Sequence, residues 1–184
     1  NDETALGQGS SVKMETQETM KIIAAGNIFT GTFERDGMGG ILTLGRNFEC
    51  RPNKLKGYYK YTSAKVSVSK GHLNEGEDDL CSLYIALTDE QITVNTNKGI
   101  YFDPNSSAVI AYGSISDEES KGADSFKEFT VDLEYKDLKR IPKYIIVVAS
   151  SSKYGDYMEG GKGSTMWLDD LELVYPKSME EVRK

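Results

Sequence analysis

Apolar and polar residues alternate with a period of two along much of the chain, as they do in β-strands that bury one face. The clearest example is the segment 126–136. Its predicted inward residues are Phe129, Val131, Leu133 and Tyr135. The residues between them are polar or charged, so this segment predicts a half-solvated antiparallel strand.

Three other segments have strand patterns of two kinds. In 55–62 the predicted inward residues are Leu55, Gly57, Tyr59 and Tyr61, and in 80–87 they are Cys81, Leu83, Ile85 and Leu87. The segment 143–149 instead carries a continuous apolar run. Such a run predicts a central strand that is covered on both faces.

Turn residues separate the predicted strands at short intervals, and the sequence contains no convincing long helix. Roughly ten short strands predict an all-β fold, and a jelly-roll-like antiparallel β-sandwich suits that number and the long connecting loops. We expect one domain over residues 1–184, with a core at about 9–176 and a polar tail at 177–184. The turn at 36–40 is rich in glycine and predicts a hairpin.

Composition excludes several classes of function. The 184 residues carry a net charge of −7, which argues against nucleic acid and against anionic membrane surfaces as partners. No apolar run is long enough to cross a bilayer, so we expect no membrane insertion by this domain. Because the chain starts at Asn1 without a methionine, we expect a processed or trimmed form, so the sequence is compatible with a removed export signal or a missing upstream domain.

Cysteine and histidine offer little chemistry. Cys50 and Cys81 do not have the spacing of zinc ligands, so either both are small core residues or they form a disulfide. His72 is the only histidine and lies in a Lys-Gly-His turn, which gives no serine–histidine–aspartate arrangement.

Three stretches of the sequence resemble a known family. They are Arg51–Tyr61, Asp79–Leu87 and Ser150–Leu173, and the most specific part is the Ser-Ser-Lys-Tyr-Gly-Asp loop that ends at Asp156 with the Gly-Ser-Thr that follows it. Together they are similar to the putative carbohydrate metabolism domain, over about Gly9 to Tyr175. This family occurs in surface and periplasmic proteins of gut anaerobes that use glycans.

The resemblance implies carbohydrate binding or processing on a jelly-roll-like domain. It implies an extracytoplasmic location in a bacterium, in the periplasm or at the cell surface. An immunoglobulin-like module often precedes the family domain, so we expect one in the full-length protein. The resemblance supplies no residue-level mechanism.

One predicted strand and one predicted loop carry candidate ligand-binding residues. Tyr58 and Lys60 lie on the predicted outward face of their strand, where a ring can stack on a sugar and an ammonium can donate to hydroxyls; cross-strand packing is the alternative for Tyr58. Tyr154, Asp156 and Tyr157 lie on a long loop and combine apolar faces with a polar group. The alternative for this loop is that Tyr154 packs back to hold a crossover.

The last predicted strand, Met166–Tyr175, adds candidates of two kinds. Trp167 is the only tryptophan, and it either contributes to ligand binding or packs into the core. Asp169 and Asp170 could hold a structural calcium ion together with the N-terminal segment, because calcium takes several carboxylate and carbonyl oxygens. We expect no other cofactor.

The sequence therefore favours a non-catalytic carbohydrate-binding module of an exported glycan-utilisation protein, with a glycan or oligosaccharide as partner. Two alternatives remain. A glycoside hydrolase would use a pair of acids, for which the sequence offers the groups at 77–79 and 169–172. A cell-surface adhesin or structural domain would bind a protein partner through a flat apolar patch or a strand edge.

Overall fold

The computed structural model of the protein describes residues 3–7, 9–37 and 39–176. Within them lie fifteen strands: β1 (Val12–Glu15), β2 (Gln17–Thr19), β3 (Ile22–Ala24), β4 (Asn27–Phe29), β5 (Gly31–Asp36), β6 (Gly39–Leu44), β7 (Arg46–Asn47), β8 (Lys54–Thr62), β9 (Ser82–Thr88), β10 (Ile92–Asn95), β11 (Val109–Ser114), β12 (Ala123–Asp132), β13 (Glu134–Tyr135), β14 (Tyr144–Ser150) and β15 (Thr165–Val174). Three short 3₁₀ turns, Thr96–Lys98, Glu119–Lys121 and Gly155–Tyr157, are the helices of the described residues. Several strands have only two or three residues, and strands this short are the reason why the structure has more strands than the roughly ten that the sequence predicts.

The strands form three stacked sheets and one separate hairpin. A four-stranded sheet has the order β1-β15-β8-β12, and a second sheet has the order β13-β11-β9-β14-β4 with β7 also paired to β14. A three-stranded sheet, β10-β6-β5, covers the outer face of the second sheet, and β2 pairs with β3. Every pair is antiparallel, so the predicted antiparallel jelly-roll-like sandwich is confirmed. The β5–β6 hairpin confirms the turn predicted at 36–40.

The main core lies between the four-stranded sheet and the second sheet. Tyr59 and Phe129 come from the first of these, with ring centroids 6.0 Å apart in an edge-to-face arrangement, and Ile85 comes from the second. The inward residues predicted for 55–62 and 80–87 are all buried. The alternation in the sequence therefore correctly gave the core faces of β8 and β9.

Strand β14 is buried on both sides, as its continuous apolar run predicted. Ile145 and Ala149 belong to the main core, whereas Ile146 points to the opposite face. There it packs in a second cluster with Leu44 and Val94 of the three-stranded sheet. A third layer on the sandwich is the reason why β14 needs no polar face.

The segment 126–136 is not one strand, and this prediction was wrong in one respect. Asp132 ends β12 in the four-stranded sheet, and Glu134 pairs with Tyr112 in the second sheet. Between them the Leu133 N–H donates to the Asn53 carbonyl at 2.9 Å. The chain thus changes sheets at Leu133, while the alternation of buried side chains continues because both sheets face the same core.

The two cysteines have different environments, and neither forms a disulfide. Cys81 is fully buried, as predicted, and burial raises the pKa of its thiol to about 12, so it stays protonated. Cys50 is exposed, so the prediction of a core position for it was wrong. It lies in the connection between β7 and β8, outside both sheets.

In the part of the chain that the structure describes, no helix has the length and apolar character needed to cross a membrane. The polar tail predicted at 177–184 lies outside the described residues.

Candidate functional site

A cleft of about 420 Å³ opens on the outer face of the second sheet, beside the loops around 101–104 and 153–157. Tyr84 of β9 and Tyr112 of β11 form its floor together with Phe102. The Tyr84 and Phe102 rings are stacked, with centroids 4.9 Å apart and an interplanar angle of 17°. Tyr112 lies 6.0 Å from Tyr84 and 6.1 Å from Phe102, so the three rings form one aromatic surface.

A second group of rings forms the rim of this cleft. Tyr101 stacks on Tyr157 at 4.0 Å, and both line the cleft together with Tyr154. His72 lies behind them, stacked on Tyr154 at 4.4 Å and tilted against Tyr157 at 4.3 Å. Aromatic rings at these separations attract one another beyond simple area burial. The rim is therefore a connected cluster of four rings.

Three charged side chains complete the cleft. The Lys153 ammonium lies 3.0 Å from an Asp117 carboxylate oxygen, and its hydrogen bond and charge lower the pKa of Asp117. Asp156 is exposed, and the protein that surrounds it on its other sides raises the pKa of its carboxyl by desolvation. The cleft thus presents donors and acceptors next to apolar ring faces, which is the usual composition of a small-ligand site.

Buried Asp79 holds the loop that carries Tyr154 and Tyr157. Its Oδ2 accepts hydrogen bonds from the Ser152 hydroxyl at 2.6 Å, the Ser164 hydroxyl at 2.8 Å and the Gly161 N–H at 2.8 Å. Burial raises the pKa of Asp79, and the hydrogen bonds oppose that rise. Because these partners lie at both ends of the loop, Asp79 fixes the loop to β9.

A second buried carboxylate, Glu159, positions His72. Its Oε2 accepts from the backbone N–H groups of Lys70 at 2.9 Å and His72 at 3.2 Å, and its Oε1 accepts from the Leu73 N–H at 2.5 Å. The His72 ring nitrogen Nδ1 lies 3.0 Å from Oε2. Burial alone would raise the pKa of Glu159, but these hydrogen bonds outweigh it and lower the pKa.

The predicted ligand-binding residues fall on two separate surfaces. Tyr154, Asp156 and Tyr157 meet in the cleft. Tyr58, Lys60 and Trp167 lie instead on the outer face of the four-stranded sheet, where Lys60 pairs with Trp167 and Tyr58 pairs with Asp169. The main core separates this face from the cleft, so the six residues do not form one site.

Trp167 does not pack into the core, so that alternative was wrong. Its neighbours Met166 and Leu168 point into the main core, which turns Trp167 outward, where it is half-buried. The Lys60 ammonium lies 4.3 Å from its ring centroid, and the Lys13 ammonium lies 5.6 Å from it. Two cations over one ring make this a packed cation–π contact.

The aspartates predicted to bind calcium have other partners. Asp169 Oδ2 accepts from the Ala5 N–H at 2.9 Å, and Oδ1 accepts from the Asp170 N–H at 3.0 Å. The N-terminal segment does lie beside them, but no group of three or more His, Cys, Asp or Glu residues suited to a metal exists in residues 3–7, 9–37 and 39–176. The calcium site stays a prediction.

Sequence reasoning missed most of the cleft. The residues it did not single out are Tyr84, Tyr101, Phe102, Tyr112, Asp117 and Lys153. One signal was present: Tyr84 lies in the opposite phase to Leu83 and Ile85, so it had to leave the main core. The partner strand and the loop that meet Tyr84 come from distant parts of the chain, which the sequence pattern does not reveal.

The comparisons with known proteins place the chain in a carbohydrate-related class. The profile of the family described as "Putative carbohydrate metabolism domain" matches residues 2–174. The chain belongs to this family, as the resemblance predicted. No curated protein is similar to it in sequence.

Solved structures with TM-scores above 0.7 share the fold. One is described as a putative glycoside hydrolase from Bacteroides thetaiotaomicron VPI-5482, with 25% identity and a TM-score of 0.74, over 93% of this chain and 55% of that chain. Another is described as a putative glycoside hydrolase from Bacteroides vulgatus ATCC 8482, with 24% identity and a TM-score of 0.72, over 93% of this chain and 75% of that chain. The chain therefore spans about half the length of the first of these proteins. A mutant of a carbohydrate binding module of family 29 matches at a TM-score of only 0.30, with 13% identity over 88% of this chain and 90% of that chain.

Proposed function

We propose that the protein is a non-catalytic carbohydrate-binding domain and that its binding site is the aromatic cleft on the second sheet. The observation that carries this proposal is the convergence of six rings with Lys153, Asp117 and Asp156 in one cleft of about 420 Å³. Membership of a carbohydrate metabolism family supports it. This site does not support the alternative of an adhesin, which would bind a protein partner through a flat apolar surface.

The geometry suits the chemistry of a sugar. A pyranose ring has apolar C–H faces that can lie on an aromatic ring, and a rim of hydroxyls that need donors and acceptors. Tyr84, Phe102 and Tyr112 offer the ring faces, while Lys153 donates and Asp156 accepts. Because an open, hydrated cleft recovers little free energy after desolvation and ordering, we expect weak affinity.

The first test compares two tyrosines on opposite sides of the molecule. Tyr157→Ala removes a ring from the rim of the cleft, and Tyr58→Ala removes one from the outer face of the four-stranded sheet. Burying an aromatic ring contributes roughly 1.5–3 kcal/mol, so Tyr157→Ala should weaken glycan binding about tenfold or more, and Tyr58→Ala should leave it unchanged. Isothermal titration calorimetry, with a glycan first identified on an array, measures both.

The reverse result would move the site to the four-stranded sheet and contradict the proposal. The absence of binding to any neutral or charged glycan on the array would contradict it too. Circular dichroism of each variant checks that the fold is intact.

A specific observation favours glycoside hydrolysis as the second candidate. Asp117 and Asp156 line the same cleft, and their pKa values are shifted in opposite directions. A glycosidase needs two carboxyl groups that flank the bond it cleaves, and Asp117 and Asp156 are the carboxyl groups that line this cleft. Asp79 is one of the acids that the sequence suggested for catalysis, but its carboxylate is buried and accepts hydrogen bonds from within the protein.

Chromatography of a bound oligosaccharide after prolonged incubation distinguishes the two candidates. A binding domain returns the oligosaccharide intact. A hydrolase cleaves it, and Asp156→Asn should then slow cleavage by about 10²–10⁴-fold, because general acid catalysis contributes an effect of that size. Cleavage that Asp156→Asn abolishes would overturn the non-catalytic proposal.

We also propose that the domain works outside the cytoplasm of a bacterium, as part of a longer glycan-utilisation protein with an N-terminal immunoglobulin-like module. The match to only 55% of the larger relative is consistent with a longer protein. Detection of the native protein in periplasmic or cell-surface fractions would test the location.

A further inference from the structure

A second cavity of about 470 Å³ lies next to the cleft, between the β5–β6 hairpin, the segment around β3 and β4, and the turn Gly155–Tyr157. Phe33 of β5 lines it with a side chain that is 59% exposed. The Phe33 ring lies over Gly40, where a Cβ atom would come within 2.1 Å of Phe33 Cε2. Glycine at this position is thus what lets the ring lie flat along the hairpin.

The two cavities are neighbours. Asp156 lines both of them. A smaller space of about 60 Å³ lies between them. Asn27, Phe29 and Leu42 line both this space and the second cavity, while Ser82, Tyr84 and Lys153 line both this space and the cleft. The cleft and the second cavity thus adjoin at Asp156, and together they are called the groove.

We infer that this groove binds an extended neutral oligosaccharide, with the second cavity as a separate subsite in which Phe33 is the stacking platform. This inference rests on the proposed carbohydrate-binding function and extends it to the length and charge of the ligand. A chain that fills the cleft continues past Asp156, and its further sugar units lie on Phe33.

The size of the groove favours a chain over a single sugar. Each cavity alone has the volume of an ordinary small-ligand site, and the two together exceed what one or two sugar units need. An exposed phenylalanine ring beside a cavity is costly to leave in water and suits an apolar sugar face. The second cavity thus repeats the chemistry of the first.

The charges of the groove favour a neutral ligand. Among the described residues that line the second cavity, Asp156 is the one charged side chain, and it also stands where the two cavities meet. A uronic acid or a sulfate group that passed this carboxylate would be repelled. In the cleft, the charge of Lys153 is already balanced by Asp117 at 3.0 Å.

Affinity as a function of chain length tests the inference. The ligands are fragments of one neutral glycan that the wild type binds. They contain roughly 2–8 sugar units, so that the shortest fill one cavity and the longest reach both. We expect affinity to rise with length and then level off. Phe33→Ala should weaken the binding of the long ligands about tenfold and leave that of the shortest ones unchanged, because only the long ligands lose the ring on which they stack.

Two further variants sharpen the result. Phe33→Leu keeps apolar volume on the hairpin but removes the ring, and should lose affinity for long ligands only. Tyr157→Ala should weaken ligands of every length, since it lies at the cleft that all of them use.

Affinity that does not depend on length, or a loss in Phe33→Ala that is equal for short and long ligands, would overturn the second subsite while the proposed function stands. Binding of an acidic oligosaccharide in preference to its neutral counterpart would overturn the charge assignment. If no oligosaccharide of any length binds, the proposed function itself fails and the subsite fails with it.

Discussion

Replacing Asp79 by alanine is expected to lower the free energy of unfolding by about 3 kcal/mol or more. Asp79 is 1% exposed, and its carboxylate accepts from two serine hydroxyls and from the N–H groups of Gly161 and Leu80. Each buried donor that loses its acceptor costs about 1–3 kcal/mol, and alanine restores none of them. The loss exceeds that of a simple side-chain truncation, since the loop 150–164 is held to β9 through this group.

Thermal unfolding followed by circular dichroism measures this effect. A loss of that size corresponds to a fall of roughly 6–12 °C in the unfolding midpoint for a chain of this length. Asp78→Ala is the matched control, since Asp78 is the exposed neighbour and its ion pair with Lys65 lies in solvent. Exposed ion pairs contribute at most about 1 kcal/mol. If the two variants unfold at the same temperature, Asp79 does not hold the loop.

Replacing Glu159 by glutamine is expected to destabilise the protein by about 2–4 kcal/mol at neutral pH. Glutamine has one oxygen where glutamate has two, so its amide nitrogen must face one of the N–H groups that the carboxylate now accepts. The donors are the backbone N–H groups of Lys70, His72 and Leu73 and the His72 ring. The substitution thus places a donor against a donor inside the protein.

The pH dependence of this difference follows from the lowered pKa of Glu159. Its ordinary value is 4.5, and the folded protein binds the proton more weakly than the unfolded chain does. The stability that the carboxylate supplies is therefore complete above about 4.5 and is lost as the pH falls through the folded-state pKa. The gap in stability between wild type and Glu159→Gln should be largest at neutral pH and shrink in acid.

Urea unfolding at several pH values checks both parts of this prediction. Glu75→Gln is the control, because Glu75 is exposed in the loop that supplies these N–H groups. Because Glu159 fixes His72 against Tyr154 and Tyr157, Glu159→Gln should also weaken glycan binding. If the difference in stability between wild type and Glu159→Gln is the same at neutral and at acidic pH, the charge of Glu159 does not contribute to stability.

The candidate site could be predicted only in part from the sequence. Tyr154, Asp156 and Tyr157 were found because they lie close together on one loop, and loops on a rigid scaffold often carry binding residues. Tyr58, Lys60 and Trp167 have the same chemistry but lie on the other side of the main core. Residue type alone cannot distinguish the two groups, because the side of the molecule is set by how the sheets stack.

The environment of an acidic residue cannot be read from the sequence either. Asp78 and Asp79 are neighbours of identical type, yet Asp78 is exposed and Asp79 is buried with four hydrogen-bond donors. Those donors come mainly from Ser152, Gly161 and Ser164, far along the chain. The sequence carries no local signal for a partner that is more than seventy residues away.

What the sequence determined by itself is the all-β class and the core face of the long strands, because side chains in a strand alternate between two sides whatever the strand packs against. The apolar run 144–149 likewise predicted a strand that is covered on both faces. Tertiary structure alone decided that the chain changes sheets at Leu133, that a third sheet covers Ile146, and that Tyr84, Phe102 and Tyr112 meet in one cleft. These features depend on pairings between distant segments, and a periodic pattern of side chains contains no information about which segments pair.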